Sequence, residues 1–105
     1  MDKYLLWYLL AGTRGGFNRI KIIKALQQQP QNANQLTDLL KMDYKTIRHH
    51  LKILTKNHLI VNSQQDKYGS MYFLTYELEN NIYLFNEIWE KVNKQATQKK
   101  SRNQK

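Results

Sequence analysis

Lys45, Arg48, His49, Lys52 and Lys56 carry the side chains best placed for chemistry in this chain. At about 100° per residue, Lys45, His49, Lys52 and Lys56 share one side of a helix with Arg48 beside them, while Ile47, Leu51 and Leu54 lie opposite and Tyr44 and His50 flank. Ammonium, guanidinium and imidazole groups in this pattern hold phosphates and hydrogen-bond base edges. A lone lysine face is usually only solvated. Here the surroundings favour a polyanion: nine basic residues between Arg14 and Lys56 face only Asp38 and Asp43, a local charge of +7. Catalysis would require paired carboxylates, a nucleophile with its base, or a phosphate loop, and none occurs at a diagnostic spacing. The sequence therefore does not read as an enzyme.

The elements that must position this face are legible from their caps. Asp43 can accept a backbone N–H near Thr46 and open the basic helix, with Tyr44, Lys45, Thr46, Arg48, His49, Lys52 and Lys56 as its DNA-contacting candidates. Asn32-Ala33-Asn34-Gln35 is a capping box for a preceding short helix through Leu36, Leu39 and Leu40, ending near Lys41 or Met42. Two helices across so short a turn form a helix-turn-helix whose second member reads double-stranded DNA. Ahead of them, Phe17, Ile20, Ile23 and Ala25 or Leu26 recur at helical spacing and stop before Gln29-Pro30. Arg14 and Arg19, near the start of that helix, are candidate phosphate contacts. Gly15 and Gly16 permit a tight turn there without forming a phosphate loop.

After the basic helix, Asn57 is expected in the left-handed position that ends helices. Leu59-Ile60-Val61 and the run from Met71 to Tyr76 then predict a β-hairpin. Its tip, residues 64–69, has the length of a wing on the sugar-phosphate backbone, with Gln65, Lys67 and Tyr68 as contacts and Asp66 offsetting Lys67.

The flanks are apolar. Residues 4–10, a short helix or an extended segment, are too few to span a bilayer and lack an export signal's basic region and cleavage site, so no membrane partner is expected. Leu78, Ile82, Phe85, Trp89 and Val92 repeat at the seam spacing of a packed helix pair, widened by Leu84 and Ile88. With Leu6, Trp7 and Leu10 they are expected to form a homodimer interface, because a three-helix core has little room for two more apolar helices. From Asn93 the chain carries five basic residues and no acids, the composition of a disordered tail. The expected organisation is one domain over residues 1–94 and a basic tail over 95–105. The fold class is mainly α with a small β-hairpin (α+β), a winged helix-turn-helix with additional N- and C-terminal helices. Overall, 105 residues with 41% hydrophobic content support one core, and a net charge of +9 favours nucleic acid. The lack of cysteine removes disulfides and thiolate metal sites and is compatible with the cytoplasm.

The segments Leu9-Leu10-Ala11-Gly12-Thr13-Arg14-Gly15-Gly16, Asn32-Ala33-Asn34-Gln35-Leu36, Asp43-Tyr44-Lys45-Thr46-Ile47-Arg48-His49-His50-Leu51 and Tyr68-Gly69 with Tyr72 resemble the archaeal winged-helix transcription regulators related to the ArsR type. The resemblance covers most of residues 4–76. It implies a homodimer on operator DNA that represses or tunes transcription. Metal-sensing members use cysteine pairs or carboxylate and histidine clusters; this chain has only His49, His50 and His58, and adjacent histidines point about 100° apart. No metal or other cofactor is expected, and nothing in the sequence identifies a small-molecule effector. Two other classes use the same features. A winged helix can be a protein-interaction module, which the basic face argues against; an RNA-binding protein would show stacking aromatics on a broader sheet than this hairpin offers.

Overall fold

The structure, a computed structural model, describes residues 1–64 and 67–103, with side chains to residue 95. In chain order the elements are α1 (Lys3–Leu10), α2 (Gly16–Gln28), α3 (Ala33–Leu40), α4 (Tyr44–Lys56), β1 (Ile60–Asn62), β2 (Tyr72–Leu74), α5 (Tyr76–Asn80) and α6 (Ile82–Asn103). The fold is a winged helix, mostly helical with one two-stranded antiparallel hairpin.

Local chemistry accounts for the central elements. The Asn32 side chain accepts from the Gln35 N–H at 2.8 Å and the Gln35 Oε1 accepts from the Asn32 N–H at 2.8 Å, a reciprocal cap that starts α3. Asp43 accepts from the Thr46 N–H at 3.2 Å and from its hydroxyl at 2.5 Å, starting α4. The end of α4 falls one residue beyond expectation: His58, not Asn57, is left-handed, with φ 61°. The His58 N–H donates to Thr55 O and the Leu59 N–H to Leu54 O, the paired bonds of a Schellman ending. Leu54 and Leu59 are both buried, so their apolar contact sets where the helix stops.

Ile60 pairs with Leu74, Val61 with Phe73 and Asn62 with Tyr72. Gln31 adds a one-residue bridge to Tyr72, donating and accepting across it, so the α2–α3 connection forms a rudimentary third strand at the stem of the wing. Gln31 is held in turn by its own Nε2, which donates to Ala25 O at 3.1 Å.

The termini decide one open alternative and correct other expectations. Residues 3–10 are helical, started by Asp2, which accepts from the Tyr4 and Leu5 N–H groups. Helix α1 packs on α2 and α6, and the core extends to include it. Leu6, Leu10, Leu78 and Phe85, expected at a dimer interface, are instead buried inside the protomer, where a partner cannot reach them. Trp89 stacks on Phe17 of its own chain at 6.4 Å beneath the Lys24 ammonium, Trp7 lies half-buried beneath Lys91, and Ile82 and Val92 pack partly buried on the same core.

The stripe after Glu77 is two helices rather than one. The Asn81 N–H donates to Leu78 O and its Nδ2 to Glu77 O, closing α5, and Asn81 O then accepts from the Leu84 N–H to begin α6. Helical backbone also continues to Asn103, over most of the stretch whose composition predicts a disordered tail. That stretch is rich in Lys and Gln, with no Gly or Pro, and extending an existing helix avoids the cost of nucleating one.

Candidate nucleic-acid interface

Helix α4 has two chemically distinct sides. Ile47, Leu51 and Leu54 are buried in the core, whereas Tyr44, Lys45, His49, Lys52 and Lys56 are exposed and Thr46 and Arg48 are half-buried. The sequence-predicted basic set therefore stands on one open surface, fixed from behind by the apolar set. Hydrogen bonds from Thr46 hold the Asp43 carboxylate below its usual range, so this cap stays ionised at the foot of the helix.

Arg48 departs from its neighbours by turning toward the wing. Its Nη1 donates to the Tyr72 hydroxyl at 2.8 Å, and Tyr72 is itself 1% exposed. On the wing, Lys67 and Tyr68 are exposed, and the Tyr68 hydroxyl accepts from Asn34 Nδ2 at 2.9 Å, tying the wing to the start of α3. Gln65 lies outside the described residues, as does Asp66. Gly69 has φ 81°, a left-handed turn that suits glycine at the wing tip.

Arg14 is exposed, but Arg19 is not the phosphate contact expected of it. Arg19 is 4% exposed: its Nε donates to Leu9 O at 2.8 Å, Nη2 to the Thr13 hydroxyl, and Nη1 to His50 Nδ1 at 3.3 Å. Arg19 thus caps the end of α1 and braces the inner side of α4. The glycines before it allow close approach rather than phosphate binding. A Cβ on Gly15 would lie 2.8 Å from both Arg19 Nη1 and His50 Cε1, and one on Gly16 would lie 2.3 Å from Leu10 O. Burial, followed by the charges of Arg19 and His49, pushes the His50 pKa below the ordinary imidazole value. Sequence spacing gave no signal for this cluster, whose members are 10, 6 and 31 residues from Arg19.

Residues 18–60 match the model of the bacterial regulatory protein, arsR family. This segment is similar to that family's DNA-binding region over about two-fifths of the chain. It comprises nearly all of α2, then α3, α4 and the start of β1. No curated protein sequence matches the chain. Among solved structures, the PcaV transcriptional regulator from Streptomyces coelicolor is similar with a TM-score of 0.63 and 18% identity, over 88% of this chain and 68% of that one. The reduced form of the transcriptional regulator YodB from B. subtilis gives 0.62 and 19%, over 86% and 88%. The adhesin competence repressor AdcR from Streptococcus pyogenes gives 0.60 and 15%, over 98% and 78%. At these identities the likeness establishes the fold.

Among the described residues, no helix is long and apolar enough to cross a membrane, and no group of three or more His, Asp or Glu side chains is placed to hold a metal ion. His50 faces Arg19 while His49 is exposed.

Proposed function

We propose that the chain is a cytoplasmic transcription regulator that binds double-stranded DNA, acting as a repressor in the form of a homodimer on an inverted-repeat operator. The observation that carries this reading is the exposed basic side of α4, the second helix of a helix pair that lies within the segment similar to the arsR family. Lys45, His49 and Lys52 enter the major groove, with Tyr44, Thr46, Arg48 and Lys56 beside them and the wing residues Lys67 and Tyr68 on the backbone. Regulators and a repressor among the similar structures support the regulatory role, and the archaeal subgroup named by the sequence resemblance belongs to the same proposal.

Dimerisation rests on apolar surface the protomer leaves open. Tyr4, Leu5 and Tyr8 are exposed along α1, opposite its buried residues Leu6, Leu9 and Leu10. Covering such a face is favourable at about 25 cal/mol per Å². Two-fold symmetry then sets two copies of α4 about 34 Å apart, one turn of DNA.

A mobility-shift comparison of duplex DNA, single-stranded DNA and structured RNA at matched salt tests the reading. Duplex should bind most tightly, and a folded variant with Lys45, Arg48 and Lys52 all replaced by Ala should lose that binding. Undiminished duplex binding by the variant, or preference for RNA, would sink the assignment.

A further inference from the structure

A polar cleft of about 170 Å³ lies between the first turn of α4 and the wing, walled by Tyr44, Arg48, Lys67, Tyr68, Ser70 and Tyr72. Four observations converge on it. First, Arg48 is held rather than free: Tyr72 accepts from its Nη1, and Tyr72 is buried and joined through its backbone to Gln31. That bond occupies one of five guanidinium N–H donors. Second, Lys67 brings another cation from the opposite wall, and no carboxylate lines the cleft among the described residues. Third, the Ser70 hydroxyl is buried without a hydrogen-bond partner among the described residues, although a buried polar group ordinarily has one. Fourth, the Tyr68 hydroxyl is fixed at the wall by Asn34, beside the start of α3. A guanidinium fixed in place, a nearby ammonium and spare hydroxyls, with no competing acid among the described residues, suit a tetrahedral oxyanion. Reading a base edge would instead require Arg48 to reach outward as Lys45, His49 and Lys52 do.

We propose that this cleft is a phosphate site, filled on DNA by one backbone phosphate per protomer, with Arg48 as its cation and Tyr72 as the residue that positions it. The proposal rests on the DNA-binding reading above and changes what Arg48 does within it. Arg48 then supplies affinity on every sequence, and base preference comes from the exposed residues of α4.

The test measures affinity of the full chain for several duplexes across a salt series, using wild type, Arg48→Ala and Tyr72→Phe, with folding verified by circular dichroism. Arg48→Ala should weaken all duplexes by the same factor and reduce the slope of log K against log salt by about 0.9 per phosphate lost. Tyr72→Phe, which removes only the hydroxyl, should move the slope in the same direction by less. Neutral methylphosphonate at a single position of each half-site should weaken wild type and leave Arg48→Ala unaffected. An unchanged slope with altered preference at one base pair makes Arg48 a base reader and overturns the proposal. Inorganic phosphate, followed at the Arg48 side-chain NH by NMR, separates the remaining cases. If wild type binds no duplex, the DNA reading fails, and the phosphate site survives only if phosphate shifts this signal. Phosphate binding with an unchanged salt slope marks a free-anion site and overturns the DNA assignment.

Discussion

Arg19 and His50 show how much of this molecule depends on single buried polar groups. A guanidinium withdrawn from water is costly unless its donors are met, and here Leu9 O, Thr13 and His50 Nδ1 meet them. Nδ1 must therefore be unprotonated, which agrees with the lowered His50 pKa. The sign of the pH dependence follows. An unfolded imidazole titrates near about 6.5, while the folded one resists protonation, so the unfolded state binds more protons and stability is lost as pH falls through that value. Thermal melts between pH 7.5 and 5 should show this loss in wild type and a smaller one in His50→Gln, whose amide oxygen can accept from Arg19 without titrating. Identical profiles would mean His50 does not govern acid stability. Gly16→Ala is a second check at this scale. Its methyl would meet the Leu10 backbone at 2.3 Å, so a loss of about 1–3 kcal/mol in denaturant unfolding is expected, typical of overpacking. A neutral outcome would show that the α1–α2 turn can relax.

At the scale of elements, legibility followed the range of the interactions. Helices α3 and α4 were readable because their caps lie within three residues of the groups they satisfy. Asn32→Ala should accordingly cost about 1 kcal/mol in chemical denaturation, and no change would show that Gln35 alone suffices to start α3. The one-residue error at the end of α4 arose because the burial of Leu59, not the identity of Asn57, placed the left-handed residue. The division between α5 and α6 depends on one asparagine bonding in both directions, which apolar spacing does not report. On the candidate interface, residue types and spacing identified the exposed lysines and His49. They could not show that Arg48 turns to Tyr72, 24 residues away, or that Arg19 turns inward, because each arginine's direction is chosen by distant acceptors.

For the whole molecule, the largest revision concerns which apolar groups a partner could touch. Phe85 is 1% exposed within the protomer, so Phe85→Ala should unfold the chain rather than split a dimer, at a cost of about 3–5 kcal/mol. Tyr4 and Tyr8, 83% and 60% exposed, are the better probes. Replacing both by Glu should leave the melting temperature of the protomer fold nearly unchanged and shift sedimentation from dimer to monomer at micromolar concentration. A wild-type protein that already sediments as a monomer would remove α1 as an interface.

The bridge between Gln31 and Tyr72 has a consequence for how the molecule breathes. Tyr72 donates to Gln31 O at 2.8 Å, fastening the wing stem to the linker that precedes α3. Exposure of the Tyr72 amide thus requires the stem and the linker to separate together. In native-state hydrogen exchange, the Gln31 and Tyr72 amides should therefore exchange with the same opening free energy, and unequal values would show that stem and linker open independently.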